Sequence, residues 1–464
     1  MKTLLVALFL TVSAYGQPLK LDPDVFAKRR QAFMEKMEPG SIALFASKPE
    51  YERNLDVNYE YRQESNFYYL SGFEEPGSLL LIAPSHPRFK YVLFVRKRDP
   101  GKETFEGPRA GTEGAIATYH ADTAFVSDDL ESHIRNFSTN DGTVYYGFGV
   151  NPEIDNRATR LFVDTRSGQN KTIRDPAAIV DEMRLIKNAG DWSMGLKKAI
   201  DISVDAHNEV LKAIRPGMYE YEVQALFEYV YRKNGSPRNA YPCIIGSGPN
   251  ATILHYETNT RQMQKGELVL MDCAAEYGGY AADITRTVPV SGTFTKEQKE
   301  IYRIVLDSQN AGMRLVKPGM TLKVISAAID TVLAEGLLRL GFIKSSKDRR
   351  FFSLHGYSHW IGLEVHDVGG YTRNGKDIPL EPGMVFTIEP GLYIRPAVFD
   401  LMKERGYAAG ELERLHSAAA PYLNIGVRIE DDILVTPEGY RNLSEGVPRE
   451  VTELEARMKR WRNE

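Results

Sequence analysis

Two aspartates stand on neighbouring apolar segments of the chain, where charged side chains are unusual. Asp272 ends the apolar run at residues 268–272, and Asp283 lies in a second, largely apolar stretch at residues 281–287. A glycine pair at residues 278–279 separates the two segments and predicts a β-hairpin. Two carboxylates that face each other on an apolar hairpin repel strongly unless a proton or a cation lies between them. Each aspartate alone is best explained as a surface or capping residue, but together they favour a metal site.

Further candidate ligands follow towards the C-terminal end. His355, His359 and His366 fall within one short segment, Glu389 ends an apolar run, and Glu430 lies between two others. A single histidine or strand-end glutamate is usually structural or solvated. We give that interpretation to five of the other histidines, which are His86, His120, His133, His207 and His416. Carboxylates at three separate apolar runs are harder to explain in that way.

The combined residue set indicates a particular chemistry. Four carboxylates and one imidazole suit Mn²⁺, Co²⁺, Fe²⁺ or Zn²⁺, and they lack the thiolates of a structural zinc site. Two such ions about 3.5–4 Å apart can share a hydroxide and stabilise both oxygens of a tetrahedral intermediate. Further histidines nearby would stabilise charge or transfer protons.

The hairpin turn decides whether the two aspartates share a face. A two-residue loop at residues 278–279 places Asp272 opposite Thr285, which lies two residues from Asp283 and on the same face. A loop at residues 277–278 places the aspartates directly opposite each other, whereas a three-residue loop puts them on different faces. The sequence leaves these alternatives open.

The part of the chain that carries these motifs contains a weak internal repeat. The Arg-Pro-Gly-Met motif at residues 215–218 recurs 102 residues later as Lys-Pro-Gly-Met at residues 317–320. At the same offset, apolar residues follow each copy with the spacing of one helix face. They are Val223, Phe227, Val230 and Tyr231 in the first copy, and Ile325, Ile329, Val332 and Leu333 in the second. A Pro-Gly turn is common by chance, but the matched helix faces favour duplication of an α+β half, with curved sheet covered by helices.

The chain before this region reads as a separate α/β domain. Residues 79–82 and 91–95 are predicted to be buried strands, and the pattern changes near residue 175 to long helical segments, the first near residues 190–213. We therefore predict a first domain at residues 17–175 and a second at residues 176–464.

Composition excludes several classes of protein. Lys and Arg number 58 against 62 Asp and Glu, so the near-neutral chain lacks the basic face of a nucleic-acid binder. With only two cysteines, Cys243 and Cys273, there is no disulfide framework. No apolar stretch reaches the roughly 20 residues of a transmembrane helix, so no membrane span is expected.

The first residues predict export. A short apolar run at residues 4–12 is followed by Ala14 and Gly16, the small residues that a signal peptidase reads. A buried strand is the alternative, but the chain becomes polar at Gln17. We expect a signal peptide at residues 1–16 and a mature chain that is periplasmic or secreted.

Together the motifs resemble the Xaa-Pro aminopeptidases (aminopeptidase P) of the pita-bread metallopeptidase family, which also includes prolidase and methionine aminopeptidase. The resemblance extends from residues 61–63 and 71–73 to residues 427–432, and the five ligand motifs occur in the family's order. It implies an α/β N-terminal domain followed by an α+β pita-bread (creatinase/aminopeptidase-like) catalytic domain with pseudo-twofold duplicated halves.

The resemblance also implies roles for individual residues. Two divalent ions, typically Mn²⁺, with Co²⁺, Zn²⁺ or Fe²⁺ as alternatives, would be held by Asp272, Asp283, His359, Glu389 and Glu430. Asp283 and Glu430 would bridge the ions, and Glu389 would also act as general base. The residues that would surround the substrate are His255 and His366, which flank it and stabilise the intermediate, and His355, Tyr393 and Arg428, which lie near it.

The implied activity is removal of the N-terminal residue from peptides with proline in second position. The Xaa-Pro bond is a tertiary amide without an N–H, so pockets that read that group fit it poorly. The resemblance further implies a homo-oligomer, either a dimer or a tetramer.

Some features depart from the aminopeptidase pattern. The insertion at residues 399–420 and the segment at residues 447–449 look like those of prolidases, which cleave only Xaa-Pro dipeptides, whereas residues 61–67 resemble aminopeptidase P. Phe105 stands where such enzymes often carry a tryptophan that contacts the substrate of a neighbouring subunit. Prolidase activity therefore remains an alternative. A non-catalytic binding module on the same fold is less favoured, because every ligand position is present.

Overall fold

The computed structural model describes residues 22–137, 142–162 and 171–461. The expected signal peptide at residues 1–16 lies outside the described residues. Two compact units meet in sequence between Leu185 and Ile186. The sequence-based boundary at residue 175 falls earlier, because the helix Ala177–Leu185 packs within the first unit. Within that unit the hydroxyl group of Tyr69 donates a hydrogen bond to the carbonyl oxygen of Met183.

The first unit is built on a six-stranded mixed sheet. Both strands predicted from sequence are present with the expected bounds, and they are buried because their apolar residues face core on both sides. From one edge to the other the strands are Thr123–Val126, Tyr91–Val95, Leu79–Ile82, Ile42–Ala46, Thr143–Tyr146 and Thr172–Arg174. The helices of this unit are Pro23–Lys36, Ser65–Ser71, Pro100–Glu106, Gly111–Ala117, Leu130–His133, Pro152–Phe162 and Ala177–Leu185. A small exposed hairpin pairs Glu52–Asn54 with Val57–Asn58.

The second unit contains two copies of a helix pair. The first pair is Lys197–Ala213 with Glu220–Lys233, and the second is Lys296–Met313 with Leu322–Arg339. Each Pro-Gly motif of the repeat lies in the connection between the two helices of its pair. All four matched apolar residues of the first copy are buried, and in the second copy only Val332 is less than fully buried. The sequence prediction of duplicated α+β halves is thus confirmed.

Each helix pair is followed by antiparallel strands that carry candidate ligands. In the first half Leu268–Asp272 pairs with Thr285–Pro289, and in the second half Val385–Ile388 pairs with Asp431–Thr436. The other strands of this unit are Arg238–Asn239, Ile244–Ser247, Ala275–Tyr277, Tyr280–Ala281, Thr372–Arg373, Lys376–Asp377, Gly391–Tyr393, Gly426–Arg428 and Gly439–Asn442.

The remaining helices are short. The insertion at residues 399–420 is largely helical, within Val398–Glu404 and Ala409–Ala419. Ala189–Asp191 precedes the first long helix, and Val451–Trp461 follows the last strand. Across the described parts of the chain, none of the helices is both long and apolar enough to cross a membrane.

Candidate metal centre and active site

The register of the first hairpin resolves the alternatives left open by the sequence. Asp272 pairs with Thr285 and Tyr277 with Tyr280, so the loop consists of Gly278 and Gly279. Their φ angles of 58° and 79° are left-handed, as a tight two-residue hairpin turn requires. The first of the three predicted registers is therefore correct.

The two aspartates meet at the hydroxyl group of Tyr241. Its oxygen lies 2.6 Å from Oδ1 of Asp272 and 2.7 Å from Oδ1 of Asp283. Because a hydroxyl group has one proton, it can donate to only one of these carboxylates at a time. The sequence analysis missed Tyr241, since this residue lies outside every recognised motif and its position depends on the long-range fold.

The two glutamates come from the second half of the duplicated unit. Glu389 follows the strand Val385–Ile388, and Glu430 immediately precedes Asp431–Thr436. The Thr285 hydroxyl group donates to Oε2 of Glu430 at 2.6 Å, and the backbone N–H of Glu430 donates to the Thr285 carbonyl at 3.1 Å. These bonds connect the ligand strands of the two halves, so Thr285 is a second residue that sequence reasoning missed.

His359 lies among these carboxylates. Its Nε2 atom is 3.4 Å from Asp283 Oδ2, 3.4 Å from Glu389 Oε1 and 3.9 Å from Glu430 Oε1. Nδ1 lies 3.2 Å from the carbonyl oxygen of Trp360, an arrangement that leaves Nε2 facing the carboxylates. Ligand atoms of Asp283, His359 and Glu430 all lie within 4.8 Å of one another.

The electrostatics of this cluster favour a cation at its centre. Burial and the charge of Asp283 raise the pKa of Glu389 to about 8, although the charge of His359 opposes the shift. Burial and the neighbouring carboxylates also hold the pKa of Glu430 well above its usual range. Burial alone would lower the pKa of His359, but the hydrogen bond and charge of Asp283 raise it to about 9. A proton on His359 thus supplies positive charge here, and a divalent cation with oxygen ligands fits the same donor set.

A chain of hydrogen bonds joins the predicted substrate-contacting residues. Arg428 donates through Nη2 to Asp272, and through Nη1 to the Tyr393 hydroxyl oxygen at 2.9 Å. The Tyr393 oxygen lies 2.8 Å from Nε2 of His355, whose Nδ1 is 3.4 Å from Glu389 Oε2. Burial, followed by the charge of Arg428, lowers the pKa of His355 to about 4. The hydrogen bonds therefore link Asp272 to His355 along one wall of the site. Nδ1 of His355 directs its hydrogen to the carbonyl oxygen of Gly356 at 2.6 Å, so His355 lies beside Glu389 as a neutral neighbour.

The last two predicted residues lie at the exposed rim. The ring of His366 is 4.0 Å from that of His359, centre to centre. Burial, then the charge of His359, lowers the pKa of His366. His255 is exposed and lies near enough for its charge to influence the pKa values of both His355 and His366. The structure thus brings all ten predicted site residues together.

A buried ion pair supports the segment that carries His366. Lys187 Nζ lies 2.7 Å from Asp367 Oδ2, and both side chains are almost completely buried. A Cβ atom on Gly362 would approach Asp367 Oδ2 to 2.2 Å, so the close packing here requires glycine. Lys187 is far from His366 in sequence, and the sequence analysis gave it no role.

Glu389→Gln tests the repulsion between carboxylates in protein stripped of divalent metal. Because the folded-state pKa of Glu389 is raised from 4.5 to about 8, its contribution to stability is present at low pH and is lost as the pH rises towards 8. In the presence of a chelator, the variant should have a higher free energy of unfolding than the wild type, with a gap that widens between about pH 5 and about pH 8.

Denaturant titrations at several pH values measure this difference. Glu257→Gln, at an exposed position of the same unit, is the matched control and should show no widening. A Glu389→Gln variant that is less stable than the wild type at the upper pH would contradict the description of the site.

Comparisons with known proteins agree with this geometry. The family model of metallopeptidase family M24 matches residues 194–437, and that of the aminopeptidase P N-terminal domain matches residues 26–145. A relative from Escherichia coli named Xaa-Pro aminopeptidase is 37% identical over 93% of this chain and 97% of its own length. The human Xaa-Pro dipeptidase is 32% identical, over 96% of this chain and 95% of its own.

A solved structure of a related aminopeptidase has the same fold. The structure of Pseudomonas aeruginosa aminopeptidase PepP superposes with a TM-score of 0.88 at 37% identity, and the match covers 96% of this chain and all of that one. The expected fold, an α/β N-terminal domain and a duplicated pita-bread catalytic domain, is confirmed. The chain belongs to metallopeptidase family M24 and carries the N-terminal domain of aminopeptidase P.

Proposed function

We propose that the protein is an Xaa-Pro aminopeptidase, a metal-dependent exopeptidase that removes the N-terminal residue from peptides with proline in second position. The observation that carries this proposal is the cluster of Asp283, His359 and Glu430, whose ligand atoms lie within 4.8 Å of one another. Glu389 lies 3.4 Å from His359, and Asp272 is joined to Asp283 through the Tyr241 hydroxyl group. The similarity to Xaa-Pro aminopeptidases from bacteria supports it further. The human dipeptidase is less similar, which makes prolidase activity the second candidate.

Two divalent ions, Mn²⁺ by preference, are the cofactors that we assign to this site. The donor set supports this assignment, because hard carboxylate oxygens with one imidazole suit Mn²⁺ and also admit Co²⁺, Zn²⁺ or Fe²⁺. The residues that would hold the ions are Asp272, Asp283, His359, Glu389 and Glu430. When bound, the ions supply Lewis acidity and lower the pKa of a coordinated water molecule.

Glu389 is the residue that we assign as general base. When divalent cations offset the charge of the neighbouring carboxylates, Glu389 is ionised and can take a proton from an attacking water molecule. Oε2 of Glu389 faces His355, which is kept neutral by its lowered pKa and is held by Tyr393. Glu389 therefore has a neutral neighbour beside Oε2, while Oε1 lies 3.4 Å from Nε2 of His359.

The rim histidines and Arg428 provide the contacts with substrate. His366 and His255 are both exposed and lie near enough for the charge of His255 to act on His366. An N–H donor at this place can stabilise the negative charge that develops on the carbonyl oxygen. Arg428 and Tyr393 hold one another by a hydrogen bond and limit the space beside Asp272. A free α-amine would be recognised by the acidic groups of this wall.

An Xaa-Pro-Xaa tripeptide and the corresponding Xaa-Pro dipeptide distinguish the two candidate activities. With added Mn²⁺, we expect release of the first residue from the tripeptide at a clearly higher kcat/KM than from the dipeptide, measured by chromatography of the products. A tripeptide with alanine in second position is the control and should be cleaved poorly. Cleavage of dipeptides alone would establish prolidase activity instead.

Asp283→Asn tests whether the site is catalytic. The substitution removes one carboxylate of the proposed metal site, so hydrolysis should fall by several orders of magnitude while the circular dichroism spectrum stays that of the folded protein. Full activity in this variant would contradict the assigned role of Asp283. A wild-type protein that neither binds divalent metal nor hydrolyses peptides would favour a non-catalytic binding module.

A homo-oligomer, dimer or tetramer, is the assembly state that we propose. Phe105 in the helix Pro100–Glu106 is 89% exposed, which is unusual for a large apolar side chain and is consistent with a contact in an assembly. Light scattering at micromolar concentration should give two or four times the mass of the mature chain. The mass of a single chain would contradict the proposal.

Export to the periplasm or the medium is proposed from residues 1–16. The short apolar run before Ala14 supports it. When the whole chain is expressed in a bacterial host, mass spectrometry of the exported fraction should find an N-terminus at Gln17. Leu8→Arg interrupts the apolar run and should keep the chain inside the cell, whereas an uncleaved wild-type chain in the cytoplasm would overturn the proposal.

A further inference from the structure

The 102-residue offset of the repeat relates two buried polar residues to each other. His207 lies in the helix Lys197–Ala213, and Gln309 lies at the corresponding position of Lys296–Met313. Both side chains are completely buried. The two helices are the first helices of the two helix pairs. Each of the two residues contacts the candidate ligand segments of its own half.

His207 joins the two aspartate-bearing segments of the first half. Its Nε2 atom lies 3.0 Å from the carbonyl oxygen of Cys273 and 3.1 Å from that of Ile284. These carbonyls directly follow Asp272 and Asp283 in the chain. Because both neighbours are acceptors, Nε2 must carry the hydrogen, and Nδ1 has no hydrogen-bond partner among the described residues.

Gln309 makes the equivalent connection in the second half. Its Nε2 atom donates to the carbonyl oxygen of Ile388 at 3.0 Å and to that of Ile429 at 3.2 Å, and Oδ2 of Asp431 lies 3.0 Å from the same atom. These carbonyls directly precede Glu389 and Glu430. The side-chain oxygen of Gln309 in turn accepts a hydrogen bond from Nη1 of Arg449 at 2.8 Å, which fixes the orientation of the amide.

We propose that His207 and Gln309 are a duplicated pair of positioning residues, each of which holds together the two segments that present one pair of carboxylates to the metal centre. The inference rests on the proposed metal site and adds two residues that touch neither ion nor substrate. In each half, the side-chain N–H donor binds the carbonyl oxygens of two residues, each of which is adjacent in sequence to one carboxylate-bearing residue. The donor therefore sets the separation of the two carboxylates in that half. Since a binding geometry fixed before the ion arrives costs less to organise, losing either donor weakens metal binding.

Because the corresponding residues are a histidine in one half and a glutamine in the other, substitutions at residue 207 can separate hydrogen-bond donation from side-chain shape. An imidazole and a primary amide share nothing at this position except a buried N–H donor. His207→Gln keeps a donor of the kind used in the other half, whereas His207→Phe keeps the ring and loses the donor. Rescue by Gln but not by Phe would therefore identify hydrogen-bond donation, and not shape, as the function of the residue.

Ser203→Ala provides a matched control on the same helix. The Ser203 hydroxyl oxygen accepts a hydrogen bond of 2.9 Å from the backbone N–H of Ala275, so this substitution also removes a bond between the helix and the same hairpin. The lost bond lies beyond the ligand-bearing positions. A general loosening of the hairpin would affect this variant and His207→Phe alike.

The experiment measures the dissociation constant of Mn²⁺ by calorimetry on chelator-stripped protein, with thermal unfolding of the metal-free form as a second readout. We expect His207→Phe to weaken Mn²⁺ binding by about 10- to 100-fold, in the range found for residues that orient metal ligands. Binding by His207→Gln should stay within about threefold of the wild type, and that by Ser203→Ala should be unchanged, although its melting temperature falls. Gln309→Met should reproduce the loss from the other half if His207→Phe does not fold.

Unchanged Mn²⁺ affinity in both donor-deleting variants would overturn the proposal, as would an equal loss in Ser203→Ala or no rescue by Gln. A wild-type protein that binds no divalent ion would instead overturn the proposed metal site, and this inference with it. The two failures are therefore distinguishable.

Discussion

Repulsion between buried carboxylates is the constraint on which the second unit depends. Asp272, Asp283, Glu389 and Glu430 lie at or close to the ends of different strands and share one largely buried space, where burial opposes ionisation. Without a cation, the arrangement is held by the positive charges of His359 and Arg428 and by shared protons such as that of Tyr241. A divalent ion relieves the same repulsion with a higher charge. Metal binding by this cluster, as proposed above, would therefore explain how the fold tolerates it.

The rest of the unit opposes that repulsion by fixing the strands that carry the ligands. Arg286, completely buried, pairs with Asp431 and also donates to the carbonyl oxygen of Glu430. A buried pair of this kind is weak evidence for stability, because desolvation offsets much of the attraction, but it strongly restricts geometry. Together with the bond between Thr285 and Glu430, and the donors on the two long helices, it leaves the ligand side chains little freedom. Duplication of the α+β half accounts for why this support occurs twice.

The sequence predicted the parts of this arrangement that depend on local pattern. The apolar runs around Asp272 and Glu389 identify strands, and charged residues on such runs point to a shared site. The glycine pair predicted the hairpin but not its register, because neighbouring loops differ by one residue and only tertiary packing selects among them. Resemblance to a known family supplied the roles of individual residues.

Residues whose roles depend on long-range contacts could not be predicted from sequence patterns. Tyr241 and Lys187 meet their partners only after the chain has folded, and neither lies in a motif with a recognisable spacing. His207 was interpreted as an ordinary structural or solvated histidine, and that interpretation missed its position beside the ligand segments. The 102-residue offset of the repeat aligns His207 with Gln309 and could have indicated a shared role. A histidine and a glutamine are not recognised as equivalent in a sequence comparison, so the correspondence was missed.

Anomalous diffraction from crystals grown with Mn²⁺ tests the central claim most directly, because it locates the ion independently of any assumed ligand. The account predicts a strong peak among the carboxylates of Asp283 and Glu430 and Nε2 of His359, with the hydrogen bonds of His207 and Gln309 retained. An empty centre in which the contacts of His359 with the carboxylates persist unchanged, while Mn²⁺ binds elsewhere or not at all, would contradict it.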